Sequence, residues 1–170
     1  MEGDWSNAAF LLALGEGVTA TGLRAESLQG DRVCRDMLRR LQSPGAQLDL
    51  TACPDLGPVL FAAAARAHGA VFTGTRRLRI KESDRLSAMA AALTAAGADV
   101  SELPDGLIIR GGKRLHAAKI EGCNDHRIVM AMTMASEIAD GELTITDAEA
   151  TAKSAPAFWR EFEHLGGLAR

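Results

Sequence analysis

With 170 residues, 47% of them hydrophobic and none of them tyrosine, the chain has enough Ala, Leu, Ile and Val to bury one real core, and its composition is not that of a disordered segment. The formal net charge of −3 excludes a general nucleic-acid binder while leaving room for a local basic pocket. No apolar run reaches the ~18 residues of a membrane span, the acidic opening "MEGDWSNAAF" carries no signal-peptide pattern, and Cys34, Cys53 and Cys123, odd in number and without C-x-x-C spacing, read as reduced thiols of a cytoplasmic protein.

The sequence enters structure at once, with Asp4 or Ser6 as the cap of a first helix, as expected of a piece of something larger. That helix, "DWSNAAFLLALGEG", is almost wholly apolar and runs into Gly17, where a short alternating strand is expected. An amphipathic helix over Arg32–Gln42 follows, stops at Gly45, and leads into the strand "AQLDL". The order then recurs. Asp55 opens a second apolar helix, Gly69 a second strand, and Ser83 caps a second outer helix that stops at Gly97 before "ADVSEL". "ELPDGLIIR" adds a hairpin with Asp105-Gly106 as its turn. Asp125 opens the third apolar helix, Gly141 the third strand, and Ser154 the last helix, which stops at Gly166.

From opening glycine to stop the spacing is 28 residues (Gly17 to Gly45), 28 (Gly69 to Gly97) and 25 (Gly141 to Gly166). Helices that are apolar all round are buried, whereas the amphipathic set should lie outside. Chance similarity of glycine-terminated units is the bland alternative. The agreement of three copies, with both helix types in the same order, favours a pseudo-threefold α/β domain of residues 1–170, its apolar helices inside and its sheets around them.

Within this frame the stretch "RIKESDRLSAM" places Lys81 and Arg85 where a helix begins. Arg127 lies just inside the third apolar helix, and Lys153 directly precedes the helix assigned to Ser154. A cation at a helix N-terminus opposes the dipole by roughly 0.3–1 kcal/mol. The same ends gather anions through unpaired backbone N–H groups, and Arg suits bidentate recognition of carboxylate or phosphate. Glu82 and Asp84 could instead neutralise Lys81 and Arg85 as local surface pairs, and one lysine near a cap is common. Taken together, four such cations point to a small, multiply anionic ligand. Asp4, Asp55 and Asp125 read first as N-caps. Asp55 is the one most open to a second role, because no cation adjoins it in sequence. Glu82, between two cations, is placed to hand on protons once a substrate buries it. His126, beside Arg127, reads mainly as a satisfied polar contact. His68, His116 and His164 sit at helix ends or in a loop and form no metal set.

"RIKESDRL" followed by "AGADV", then "NDHRIVMA", then "TAKSAPAFW" closely resembles the C-terminal half of the EPSP synthase (3-phosphoshikimate 1-carboxyvinyltransferase) family, and "EGDWSNAAFLLA" resembles the segment that opens that half. The likeness runs from Glu2 to about Phe162. The related UDP-N-acetylglucosamine enolpyruvyl transferases share the architecture but not the "KESDRL" and "NDHR" strings. The resemblance implies a fold of βαβαββ units around buried parallel helices, with an active site in a cleft between two such domains. It implies transfer of the enolpyruvyl group of phosphoenolpyruvate to the 5-hydroxyl of shikimate 3-phosphate, a step of the shikimate pathway to aromatic amino acids, without metal or cofactor. By motif, Arg85, Arg127 and Lys153 would hold phosphoenolpyruvate, and Lys81 and Asp55 would contact shikimate 3-phosphate. Asp55 would take the hydroxyl proton, and Glu82 with Lys153 would move protons at the enolpyruvyl carbons.

The family's N-terminal domain, with a lysine, an arginine and a serine-rich loop of the site, has no counterpart here, so the chain alone is expected to be inactive. Some members carry an asparagine where this chain has Arg77, and that contact is not carried over. The competing reading is a free-standing anion-binding or complementation module without its own catalysis. An RNA-cyclase-like relative is a weaker third, because no basic, aromatic-lined surface is visible. Neither nucleic acid nor membrane is expected as a partner.

Overall fold

A computed structural model describes residues 2–15 and 17–170. Two helices form its centre, α3 (Gly57–Arg66) and α5 (His126–Ser136). Every residue of α3 except Ala63 and Arg66 is buried, as is every residue of α5 except Ser136, which is what their all-round apolar sequence requires. Each is the crossover of a parallel strand pair. β1 (Gln47–Asp49) precedes α3 and pairs with β2 (Gly69–Thr73) after it. β5 (Leu115–Ile120) precedes α5 and pairs with β6 (Ala139–Ile145) after it. The hairpin of β3 (Asp99–Leu103) and β4 (Gly106–Arg110) joins the first pair in a sheet ordered β1-β2-β4-β3. Outside lie α2 (Cys34–Arg40), α4 (Arg85–Ala95) and α6 (Phe158–His164), while α1 (Trp5–Leu12) stands at the head of the first copy.

The core side chains come mostly from these elements. Phe61 of α3 meets Phe72 of β2 edge-on, ring centres 4.8 Å apart, and both are fully buried. Gly69 opens β2 at φ +79°, and a Cβ there would stand 2.3 Å from the Ile109 carbonyl oxygen of β4. Only glycine allows the two backbones to approach this closely.

The expected repeat holds in its second and third copies and is incomplete in its first. No strand forms after Gly17 among the described residues. By the rule of the other copies, that strand should pair with residues preceding α1. Glu2–Asp4 make one such bond, Gly3 N–H to the Gly22 carbonyl (2.9 Å). α1 is accordingly half-buried rather than enclosed, with Trp5, Ala9 and Phe10 alone inside. The hairpin has no counterpart in the first copy, where α2 leads through Ser43–Gly45 almost directly to β1. Two open grooves of ≈550 and ≈600 Å³ flank α1.

Smaller differences concern boundaries. The first outer helix begins as a 3-10 turn, Gly30–Val33, before α2. The hairpin turn is Pro104-Asp105, with Gly106 already paired to Leu103. β5 has no clear signal in the sequence, and His116 lies in it rather than in a loop.

Burial pushes the Cys34 and Cys53 thiols up to about 11, helped by the nearby Asp31 carboxylate, whereas Cys123 is exposed. A thiol reagent near neutral pH is therefore expected to label Cys123 alone, with the other two reacting only on unfolding. Prompt labelling of all three in the native chain would show that the Cys34–Cys53 region opens.

Candidate functional site

Asp55 sits in a 3-10 turn, Pro54–Leu56, between β1 and α3, and it does not cap α3. Its carboxylate instead gathers three cations from two other elements. Lys81 Nζ lies 3.0 Å from Oδ1, Arg85 Nη1 donates to the same oxygen at 3.0 Å, and Arg127 Nη2 lies 3.9 Å from Oδ2. Arg127 also donates to the Asp55 backbone carbonyl at 3.0 Å. Burial raises the Asp55 carboxyl, but the Lys81 hydrogen bond and the charges of Arg127, Lys81 and Arg85 outweigh it and hold the group below the usual carboxylate range.

Arg85 is the first residue of α4 and is almost fully buried. Two residues before it, Ser83 was expected to cap this helix. Asp84 does so, accepting from the Ser87 N–H, while the Ser83 hydroxyl donates across to Asp125. Asp125 caps α5 as expected, accepting from the Arg127 N–H. Its larger part is one the sequence did not show. Arg85 Nε donates to its Oδ2 (2.8 Å) and Arg85 Nη2 to its Oδ1 (3.2 Å). With Ser83 and the Arg127 N–H, four donors occupy the four lone-pair directions of a fully buried carboxylate. Burial raises this carboxyl too, and the Arg85 hydrogen bonds and charge reverse that and lower it. The start of α4 is thus bolted to the start of α5. The cation at each helix end is offset by a buried anion, which removes most of its conflict with the dipole.

Lys153 departs from expectation. It ends a 3-10 helix, Ala148–Lys153, and Ser154 closes that turn at its C-terminal end rather than opening α6, which starts at Phe158 with Ala157 before it. Lys153 Nζ donates to the backbone and side-chain oxygens of Asn124, at 2.6 and 2.9 Å. Asn124 is the residue before Asp125, so Lys153 stands beside the cluster rather than in it. Cys123 and Asn124 have φ of 54° and 48°, and Asp147, which accepts from the Asn124 N–H, has φ 56°. Asn124 and Asp147 adopt the left-handed region readily, and Cys123 is the one strained residue of this corner. Glu82 is near Arg85 (3.6 Å) and His126 (2.9 Å from Nδ1). The cluster meets solvent through the side chains of Asp55, Lys81 and Glu82, which are 33%, 27% and 44% exposed. Neither large groove beside α1 is lined by Asp55, Lys81, Arg85 or Arg127. Three cations and three carboxylates at the starts of α4 and α5, with Lys153 beside them, suit an anion that displaces Asp55 from its partners.

The model of the EPSP synthase (3-phosphoshikimate 1-carboxyvinyltransferase) family matches residues 1–162. The chain belongs to this family. Among curated EPSP synthases it is similar to those of Clostridium acetobutylicum (40% identical over 185 aligned positions) and Clostridium kluyveri (41% over 187), covering 98% of this chain in both and 43% and 44% of those proteins. These alignments are longer than the chain itself, so such relatives carry extra residues within the matched stretch. The EPSP synthase structure from Acinetobacter baumannii superposes with a TM-score of 0.83 at 28% identity, over 96% of this chain and 46% of that one. The enolpyruvyl transferase NikO of Streptomyces tendae (TM-score 0.68, 15% identity) shares the fold. The chain thus spans under half the length of these EPSP synthases. The α/β repeat expected from the sequence is the architecture of these enolpyruvyl transferases. None of the described helices is long and apolar enough to cross a membrane.

Proposed function

We propose that the chain is the C-terminal domain of a 3-phosphoshikimate 1-carboxyvinyltransferase, supplying one wall of a site completed by a second, N-terminal domain. The supporting observation is the meeting of Lys81, Arg85 and Arg127 on Asp55. In this reading Arg85, Arg127 and Lys153 hold the phosphate and carboxylate of phosphoenolpyruvate, and Lys81 with Asp55 contacts shikimate 3-phosphate. The 5-hydroxyl oxygen bonds to C2 of phosphoenolpyruvate while its proton passes to Asp55. The C2–C3 π pair takes a proton at C3, from Glu82 or Lys153. The group that gave the proton, now the conjugate base, takes a C3 proton back, the C–H pair reforms the C2–C3 double bond, and the C2–O bond breaks with its electron pair leaving on inorganic phosphate. The fixed cations stabilise the developing charge, and the carboxylates serve as acid and base. In the free chain Asp55 is a weak base, because three cations hold it ionised. Cations drawn onto the substrates' anionic groups would release that hold and make Asp55 a better proton acceptor. A cytoplasmic location belongs to the same proposal.

Phosphate release from phosphoenolpyruvate and shikimate 3-phosphate should be absent with the 170-residue chain and appear when the N-terminal half of the Clostridium acetobutylicum enzyme is added. Turnover by the chain alone would refute the two-domain reading. With one wall only, phosphoenolpyruvate should bind with a dissociation constant on the order of millimolar, weakening as salt screens the exposed charges over ~10 Å at 0.1 M. Arg127→Ala should weaken it further. In an NMR titration the amides of Lys81–Arg85 and Asn124–Arg127 should shift, and the shifts should vanish at high salt. Saturable shifts elsewhere with those amides silent would move the site. Binding without restored turnover would favour an anion-binding module.

A further inference from the structure

His126 is the first residue of α5, 95% buried, and its Nδ1 has no aligned hydrogen-bond partner among the described residues. A buried imidazole nitrogen without a partner is costly enough to need a reason. Its Nδ1 lies 2.9 Å from Oε2 of Glu82 and 4.0 Å from Oδ1 of Asp125. The separation from Glu82 is that of a hydrogen bond, and only the alignment is lacking. Glu82 is 44% exposed on the segment before α4 and is free to turn its carboxylate.

Glu82, Asp125 and His126 also lie close enough together to suggest a metal site. The geometry argues otherwise. Asp125 has no lone pair to spare, since Ser83, Arg85 and the Arg127 N–H take all four, and the Arg85 guanidinium already occupies the position beside it. What remains is a pair, Glu82 and His126, with one proton to place between them. Burial is the main influence lowering the His126 pKa. Arg127 and Arg85 lower it further, against Glu82 and Asp125, which raise it. The ring is therefore neutral near pH 7 and carries one N–H. If Nδ1 bore the lone pair, it would face a carboxylate oxygen at 2.9 Å with nothing between them. The N–H belongs on Nδ1.

We propose that His126 is a positioning residue for Glu82: its Nδ1–H holds the Glu82 carboxylate at the mouth of the site, and Nε2 is left as a proton-free acceptor. This rests on the reading of Glu82 as a group that moves protons at the enolpyruvyl carbons. A carboxylate with a single fixed donor keeps its other lone pairs for the substrate, and its position is set by a ring locked at a helix start.

The test uses nitrogen-15-labelled histidine in the 170-residue chain. Near neutral pH the His126 ring should show the Nδ1–H tautomer. In Glu82→Ala it should shift toward the Nε2–H form preferred by free imidazole, and its titration should move to lower pH, because the carboxylate that raised its pKa is gone. Glu82 is exposed, so this variant should fold. A His126 ring that does not donate to Glu82 would show neither change. An Nε2–H tautomer in the unaltered chain, or a tautomer and titration unchanged in Glu82→Ala, would overturn the proposal. So would zinc ion that saturates both His126 and Glu82 resonances at micromolar concentration. The pair is read without substrate, so failure of phosphoenolpyruvate to bind would sink the enolpyruvyl reading while these spectra still decided the pair.

Discussion

Asp125→Asn should destabilise the domain by about 3 kcal/mol, the cost of removing the fully buried one of the carboxylates that neutralise Arg85, with the half-buried Asp55 left to hold it. Arg85 is buried and loses both hydrogen bonds to a charged partner. The new amide also turns an NH2 toward donors, because every group around Asp125 donates. Domains of this size are stable by only about 5–15 kcal/mol, so the loss is a large share of the total. Urea denaturation measures the loss. Arg85→Met combined with Asp125→Asn should cost less than the two single changes added together, since the orphaned charge is removed with its partner. The same pair fixes a pH dependence. The Asp125 carboxyl is held below its ordinary value of 3.8 in the folded state. Its contribution is therefore complete above that value and is lost as pH falls through the lower folded value. Stability should drop on the acid side, and the drop should shrink in Asp125→Asn. A loss under about 1 kcal/mol, or an acid limb unchanged by the substitution, would show that water replaces the ion pair.

Phe61→Ala should cost a further independent 3–5 kcal/mol or so, through lost burial and the cavity left behind. The ring is fully buried between α3 and β2, and its edge-on contact with Phe72 adds to the burial term. Phe61→Leu, which refills most of the volume, should cost distinctly less. The effect should reach the site. α3 starts two residues after Asp55, and β2 leads into the segment that bears Lys81 and Arg85. Loosening that contact should weaken phosphoenolpyruvate binding as well as stability, read from the same amide shifts. Stability lost with binding intact would mean that the ion pairs hold the site together without the core beneath it.

The two central helices were legible because burial on all sides leaves no polar face, and α3 and α5 show none. The repeat was legible because glycine stops recur at fixed spacing. The strand after Gly17 was not, although its pattern matches its counterparts. A strand needs a neighbour, and alternation in sequence does not reveal whether one is present. At the site, the charges were visible and their pairing was not. Asp55 reads as a cap because Asp before an apolar helix usually is one, yet the turn at Pro54 postpones the helix by two residues and frees the carboxylate. Ser83 and Asp84 are equally good caps on paper, and only the approach of Asp125 separates their roles. Lys153 was misplaced because Ser154 resembles a cap, whereas the chain makes a 3-10 helix first and starts α6 at Phe158. The Asn124 that holds Lys153 could have been suspected from "NDHR", since asparagine tolerates the left-handed backbone it adopts.

Saturation of Asp125 has an entropic consequence for ligand binding. Arginine side chains usually give up rotamer freedom, on the order of 0.5–1.5 kcal/mol each, when a ligand immobilises them. Arg85 has already lost that freedom in the empty protein, since three of its five N–H groups are fixed by Asp125 and Asp55. The two that remain point wherever the framework of α4 and α5 aims them. An anion meeting Arg85 therefore encounters a planar fork fixed in advance through three of its N–H groups, whereas Lys81 and Lys153 are each held by a single ammonium at the end of a flexible stem. The two lysines can change partner by turning their stems while the Arg85 fork stays put, so anions of different shape should share the Arg85 contact and differ in how the lysines settle around them.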